Sequence, residues 1–168
     1  SFLFAVLHAV SSLLFLYVFC VTLPIMEFTY QEEQIADVAR DVLHALETAH
    51  HDGATVLALS GDLGAGKTTF TKALGKLLGV VEELASPTFV IMRRHEATHA
   101  HFQTLYHIDA YRLESATDIE KLGFHRLLAD SNALIVVEWP ECLGDALPED
   151  TIRATITHVS QTERKLHL

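Results

Sequence analysis

The chain has 168 residues, with 22 Asp and Glu, 12 Lys and Arg, and a formal net charge of −10. This length predicts one domain with a sizeable core and is too short for two. Few and scattered basic residues argue against a broad nucleic-acid-binding face, because a phosphate backbone is bound by clustered Lys and Arg. The 2 cysteines, Cys20 and Cys142, are too few for a disulfide framework and have no metal-ligand spacing.

Residues 2–25 contain no Asp, Glu, Lys or Arg and are long enough to span a bilayer as a helix. They lack the cationic start and small-residue cleavage site of a signal peptide. Three interpretations stay open: a membrane anchor, the remnant of a processed segment, and codons translated from a misplaced start upstream of Met26. We expect the third, because residues 26–168 have the pattern of a complete soluble domain. The chain then divides into an apolar extension, 1–25, and a domain over 26–168.

The first part of this domain predicts a helix, a strand and a second helix. Thr29 with Glu32 has the pattern of a capping box, and the apolar residues that follow recur on one helical face. Gly53 ends this helix. The apolar run 55–60 then predicts a buried strand, and 67–78 predicts a helix that Gly79 closes.

Between this strand and helix, residues 61–68 match G-x-x-x-x-G-K-[ST] at every fixed position. Glycines let backbone amides turn toward phosphate oxygens, and the helix N-terminus adds a partial positive charge. Lys67 would reach the β- and γ-phosphates, and the Thr68 hydroxyl would ligate Mg²⁺. The pattern therefore predicts a nucleoside triphosphate site. Its predicted contacts are Gly61, Leu63, Gly64, Ala65, Gly66, Lys67, Thr68 and Thr69.

The rest of the chain predicts a mostly parallel sheet. Pro87 opens a loop, and Gly123 ends a short helix. The predicted elements are strands over 89–92 and 102–108, paired as an antiparallel hairpin, a helix over 116–122, and strands over 133–137, 151–159 and 164–168. Together they predict an α/β fold, a small three-layer sandwich of the P-loop NTPase type with an antiparallel hairpin.

Two acidic residues follow predicted strands. Glu138 comes after the apolar run 133–137, where an acid of a P-loop protein would bind the metal, and we prefer this role to a strand that simply ends at the surface. Asp109 could order the attacking water, and a turn-forming Asp is an equally good interpretation. The candidate catalytic residues are thus Lys67, Asp109 and Glu138, and the candidate metal ligands are Thr68 and Glu138.

Other residues leave alternatives open. Ser86 and Thr88 could form a segment that senses the γ-phosphate, although such triplets with Pro87 are usually turns. Trp139 could be a core residue, a partner anchor or a cover over the site. For the histidines at 95, 99, 101 and 107 we prefer a solvated loop to a zinc site, because no Cys or carboxylate has matching spacing.

Four sequence blocks, 61–70, 86–89, 107–113 and 137–140, resemble in order and spacing the TsaE family, small ATPases of bacterial tRNA threonylcarbamoyladenosine (t6A) synthesis. The resemblance covers 26–168 and implies a P-loop ATPase domain there. It implies that Thr68 and Glu138 hold Mg²⁺, that Lys67 and the loop amides hold the phosphates, and that Asp109 is the family's acidic residue. Glu32 and Arg164 would approach the nucleotide, although Glu163 stands where the family often has Gly.

The resemblance also implies a role: a cytoplasmic, Mg²⁺-dependent ATPase, weak alone, that binds and hydrolyses ATP while docked on the TsaB–TsaD pair. The pair would transfer the threonylcarbamoyl group and ATP turnover would reset it, so tRNA is contacted only through the complex. The alternatives are a small-molecule kinase, for which no Arg-rich lid is visible, a GTPase, which lacks Asn-Lys-x-Asp, and a non-catalytic, nucleotide-dependent assembly factor. If residues 1–25 are genuine, a membrane-tethered ATPase is the fourth.

Overall fold

The computed structural model describes residues 26–49, 52–87 and 89–168, so the predictions for 1–25 and Thr88 lie outside it. One seven-stranded sheet carries helices on both faces. The strands are β1 (Glu27–Gln31), β2 (Thr55–Ser60), β3 (Met92–Glu96), β4 (Thr104–Asp109), β5 (Ala133–Glu138), β6 (Ile152–His158) and β7 (Glu163–His167). The helices are α1 (Ile35–Thr48), α2 (Lys67–Leu77), α3 (Ala116–Lys121) and α4 (Phe124–Leu127), with 3₁₀ turns at Glu32–Gln34, Ala110–Arg112 and Pro140–Ala146.

The strand order is β1-β7-β6-β2-β5-β4-β3, with a parallel centre and antiparallel edges. Strands β6, β2, β5 and β4 run parallel, while β1, β7 and β3 join antiparallel. Every residue of β5 is buried, which explains its continuous apolar run, because helices cover both faces of a parallel sheet. The predicted α/β fold with an antiparallel hairpin is confirmed.

The strands divide their side chains between two cores. Leu57 and Leu59 of β2 pack with α1 and α2, whereas Val56 and Ala58 face α3, α4 and the turn Pro140–Ala146. This alternation is the period of two of an extended chain. It produces the three predicted layers. The parallel pairing of β2, β5 and β4 brings their carboxyl ends to one edge of the sheet.

The prediction that Thr29 caps the first helix is wrong. Thr29 lies inside β1 and pairs with Lys165 of β7. The capping box is formed by Gln31 and Gln34, with the Gln31 amide donating to Gln34 Oε1 at 2.9 Å before the turn Glu32–Gln34. A strand pairing with the far end of the chain therefore overrides a local helix signal.

The predicted range of the hairpin's first strand, 89–92, is also wrong. The apolar residues Phe89 and Val90 lie in an exposed turn, 86% and 52% accessible, and the strand begins at Met92. Polar residues such as Arg93 and Arg94 suit β3 because it is an edge strand with little core to cover. In the part of the chain that the structure describes, no helix has the length and apolar character needed to cross a bilayer.

Candidate nucleotide and metal site

The phosphate-binding loop leaves the end of β2 and enters the first turn of α2. Gly61, Gly64 and Gly66 have φ of 140°, 78° and 107°, a region that side chains disfavour. A Cβ on Gly61 would overlap the carbonyl oxygen of Ile156. The glycines therefore permit both the path of the loop and its close approach to β6.

Lys67 extends back across this loop. Its Nζ donates hydrogen bonds to the carbonyl oxygens of Gly61 and Asp62 at 2.6 and 3.0 Å. It also lies 3.6 Å from the ring centroid of Trp139, a cation–π distance. Burial lowers the pKa of Lys67, and the nearby carboxylates, led by Glu138, oppose this shift.

Glu138 is the centre of a buried polar chain. Thr68 Oγ1 donates to Glu138 Oε2 at 2.9 Å, and His107 Nε2 lies 2.6 Å from Oε1. Glu138 is 2% and His107 0% exposed. The Thr68 hydroxyl in the first turn of α2 and the Glu138 carboxylate at the end of β5 are hard oxygen ligands of the kind that Mg²⁺ takes beside substrate phosphates, so these residues fit that ion.

Asp109 ends β4 as Glu138 ends β5, and the two residues are register partners. Asp109 is 5% exposed, and its carboxylate accepts a hydrogen bond from the Tyr111 amide at 3.1 Å. The turn-forming role is therefore present. The carboxylate also lies on the sheet edge that carries Glu138, which is compatible with ordering a water there. The water-ordering role stays a prediction.

Trp139 follows Glu138 in the left-handed region, with φ of 60°. Its ring lies beside Lys67 on one side and 5.1 Å from the Tyr111 ring, centroid to centroid. It also packs on the core that contains Val137. Among the three interpretations of Trp139, the geometry favours a cover beside Lys67.

A cavity of about 360 Å³ opens beside the loop. Glu32 and Arg164 line it together with Gly64, Gly66 and Thr69. Arg164 is held there because Nη1 donates to the Ser160 carbonyl at 3.0 Å. Lys67, Thr68 and Glu138 are not among its lining residues, although Gly66 and Thr69, next to Lys67 and Thr68 in the chain, are.

The prediction that the four histidines form a solvated loop is wrong for His95 and His107, which are 3% and 0% exposed. His95 pairs with Glu82 at 2.6 Å, and His107 pairs with Glu138. His107 is the site residue that the sequence reasoning missed. Its signal was its place two residues before Asp109, which puts both side chains on one face of β4. Within the described ranges, no three His, Cys, Asp or Glu side chains are grouped to hold a metal.

A family model described as "Threonylcarbamoyl adenosine biosynthesis protein TsaE" matches residues 29–166. The chain belongs to the TsaE family. The tRNA threonylcarbamoyladenosine biosynthesis protein TsaE of Streptomyces coelicolor is 47% identical over 102 residues, which are 60% of this chain and 67% of that protein. The Bacillus subtilis TsaE is 36% identical over 66% of each chain.

The fold of this TsaE family member agrees with a solved structure. The crystal structure of Bacillus subtilis YdiB matches with a TM-score of 0.62 and 26% identity, covering 86% of this chain and 85% of that one. The TsaE of Treponema pallidum is 36% identical over 67% of this chain and 79% of its own length. The alignments to the S. coelicolor and B. subtilis proteins span 67% and 66% of those relatives, about two thirds of their length.

Proposed function

We propose that this chain is the Mg²⁺-dependent ATPase of the t6A modification machinery and acts on the TsaB–TsaD pair. The observation that carries the proposal is the contact between Thr68 and Glu138, 2.9 Å apart beside the phosphate-binding loop. It supplies the metal ligands that a phosphate-binding loop needs for hydrolysis. Membership of the TsaE family supplies the tRNA-modification context.

In the proposed reaction, the loop amides and Lys67 bind the phosphates of ATP. Thr68 and Glu138 would hold Mg²⁺, which neutralises charge on the β- and γ-phosphate oxygens. Lys67 exchanges its contacts with the Gly61 and Asp62 carbonyls for phosphate oxygens. Asp109 accepts a proton from the water, whose oxygen bonds to the γ-phosphorus while the bond from that phosphorus to the bridging oxygen breaks and ADP leaves.

The cavity beside Glu32 and Arg164 receives the nucleoside part of ATP. With the phosphates on the loop and the metal at Thr68 and Glu138, the ribose and base extend into the cavity that Gly64 and Thr69 line. Arg164 and Glu32 supply a donor and an acceptor there. A volume of about 360 Å³ lies in the range of sites for small ligands.

Exposed apolar side chains near the site favour a protein partner over a small phosphoryl acceptor. Leu63 in the loop is 82% exposed, Phe89 86% and Tyr111 57%. Large exposed apolar side chains beside a site are consistent with a protein interaction surface. Because the chain has a net charge of −10, which disfavours contact with a phosphate backbone, we propose that the TsaB–TsaD pair holds the tRNA. We also propose that this machinery acts in the cytoplasm.

The test is t6A formation by a purified TsaB–TsaD pair supplied with tRNA, a threonylcarbamoyl donor, ATP and the full chain. If ATP turnover resets the pair, the first round of transfer proceeds with wild type and with Lys67→Ala, while later rounds need wild type. The control is Lys76→Ala, which removes an exposed lysine from the last turn of α2. Repeated rounds with Lys67→Ala would contradict the reset role.

A further inference from the structure

Both carboxylate oxygens of Glu138 are held by side chains from other elements. His107 of β4 contacts Oε1 at 2.6 Å, and Thr68 of α2 contacts Oε2 at 2.9 Å. A carboxylate only accepts hydrogen bonds, so His107 Nε2 carries the proton in its contact. The two donors together fix the plane of the carboxylate and direct Oε2 toward Thr68.

A histidine is an unfavourable residue for the buried position of His107, because its ring nitrogens need hydrogen-bond partners. The ring is fully buried in β4, where His107 pairs with Val136 of β5 and Arg93 of β3. Its Nδ1 is buried and has no hydrogen-bond partner among the described residues. An unsatisfied buried nitrogen costs free energy that an apolar side chain would avoid. The ring therefore gains its hydrogen bond only at Glu138.

We propose that His107 is a positioning residue that holds Glu138 so that Oε2 and the Thr68 hydroxyl form a ready-made pair of oxygen ligands for a divalent cation. This rests on the proposed function, which assigns Mg²⁺ to Thr68 and Glu138. A second hydrogen bond on a ligating carboxylate restricts its rotation, and removal of such partners commonly weakens metal binding. His107 contacts neither phosphate nor metal in this role.

The experiment is a Mg²⁺ titration of the full chain with bound ADP. Binding is monitored by the fluorescence of Trp139, the single tryptophan of the sequence. His107→Leu removes the donor, and His107→Gln restores an N–H. We expect His107→Leu to raise the Mg²⁺ concentration at half-saturation about ten-fold or more, and His107→Gln to recover most of this. ADP affinity in EDTA stays unchanged in both, because the phosphate contacts are intact.

His95→Leu is the matched control. His95 is 3% exposed, its Nδ1 lies 2.6 Å from Glu82 Oε1, and its Nε2 is buried without a partner among the described residues. It thus loses the same kind of contact on β3, outside the site. We expect a similar loss in Tm and an unchanged Mg²⁺ titration. An equal Mg²⁺ shift in His95→Leu would overturn the positioning role.

Glu138→Gln separates this inference from the function on which it rests. If Glu138→Gln leaves the Mg²⁺ titration unchanged, the metal site itself is wrong. If Glu138→Gln shifts the titration and His107→Leu does not, the positioning role alone is overturned. Should His107→Leu not fold, His107→Met decides the question, because it also lacks the donor and fills a similar volume.

Discussion

Asp109 and Glu138 are register partners at the ends of the neighbouring parallel strands β4 and β5. Both side chains are buried, at 5% and 2% exposure, yet their contacts differ. Glu138 bonds Thr68 beside the phosphate loop, whereas Asp109 accepts from the Tyr111 amide in the next turn. Their proposed roles in metal binding and water activation can therefore be separated by substitution.

For Asp109→Asn we expect ATP turnover to fall about 100-fold or more, the usual contribution of a general base, with unchanged ADP affinity and Mg²⁺ requirement. Asn keeps an oxygen that accepts from the Tyr111 amide. If Asp109 only forms the turn, Asp109→Asn retains its turnover. Steady-state kinetics with a parallel Tm measurement distinguish the two results.

For Glu138→Gln we expect weaker Mg²⁺-dependent nucleotide binding and turnover, because the amide lacks the negative charge of the ligand. Glu149→Gln is the control, since Glu149 is exposed and is not among the carboxylates that act on Lys67. Calorimetric titration of ADP with and without Mg²⁺ measures the effect. Unchanged Mg²⁺ dependence in Glu138→Gln would remove Glu138 from the metal site.

The lowered pKa of Lys67 predicts a pH dependence of nucleotide binding. Phosphate binding needs the ammonium form of Lys67. The affinity for nucleotide therefore begins to fall with rising pH already below pH 10.5, the ordinary pKa of lysine. The effect on folding has the opposite sign: between the two pKa values the unfolded state binds more protons, so this contribution to stability rises with pH.

Lys67→Arg tests this prediction, because a guanidinium stays charged throughout the range. We expect the affinity of the variant for ADP to be flatter at alkaline pH than that of wild type, whatever its absolute value. Calorimetry at several pH values measures both. The same alkaline decline in the two proteins would assign it to another group.

If the cavity beside Arg164 binds the nucleoside, a substitution there weakens the binding of ATP but not that of its phosphates alone. Arg164→Ala removes a charged donor, a loss of about 1.5–3 kcal/mol, so we expect roughly ten-fold weaker ATP binding or more. Binding of inorganic triphosphate, which lacks the nucleoside, stays unchanged. Arg153→Ala, at an exposed position of β6, is the control. Equal weakening toward both ligands would place Arg164 on the phosphates.

Gly61 and Gly64 predict different costs for the same substitution. Both have positive φ, so alanine is strained at either by about 1–2 kcal/mol. Only at Gly61 does the added Cβ overlap another atom, the Ile156 carbonyl oxygen. We therefore expect Gly61→Ala to lower Tm clearly more than Gly64→Ala in thermal unfolding. Equal losses would mean that β6 moves to accommodate the methyl group.

The central elements could be predicted because their signals are local. The glycine pattern, the apolar run of β5 and the acids that end β4 and β5 all lie within short segments. The pairing of β1 with β7 could not be predicted, because it joins the two ends of the described domain. It leaves Thr29 inside a strand. The contact between His107 and Glu138 joins residues 31 positions apart and depends on the register of β4 and β5.

The most direct test of the central claim is ATP hydrolysis by the full chain, alone and with a purified TsaB–TsaD pair. The account predicts weak, Mg²⁺-dependent turnover alone that rises when the pair is added and disappears in Lys67→Ala. ATP binding with no response of turnover to the pair would contradict it and direct the search to a phosphoryl acceptor.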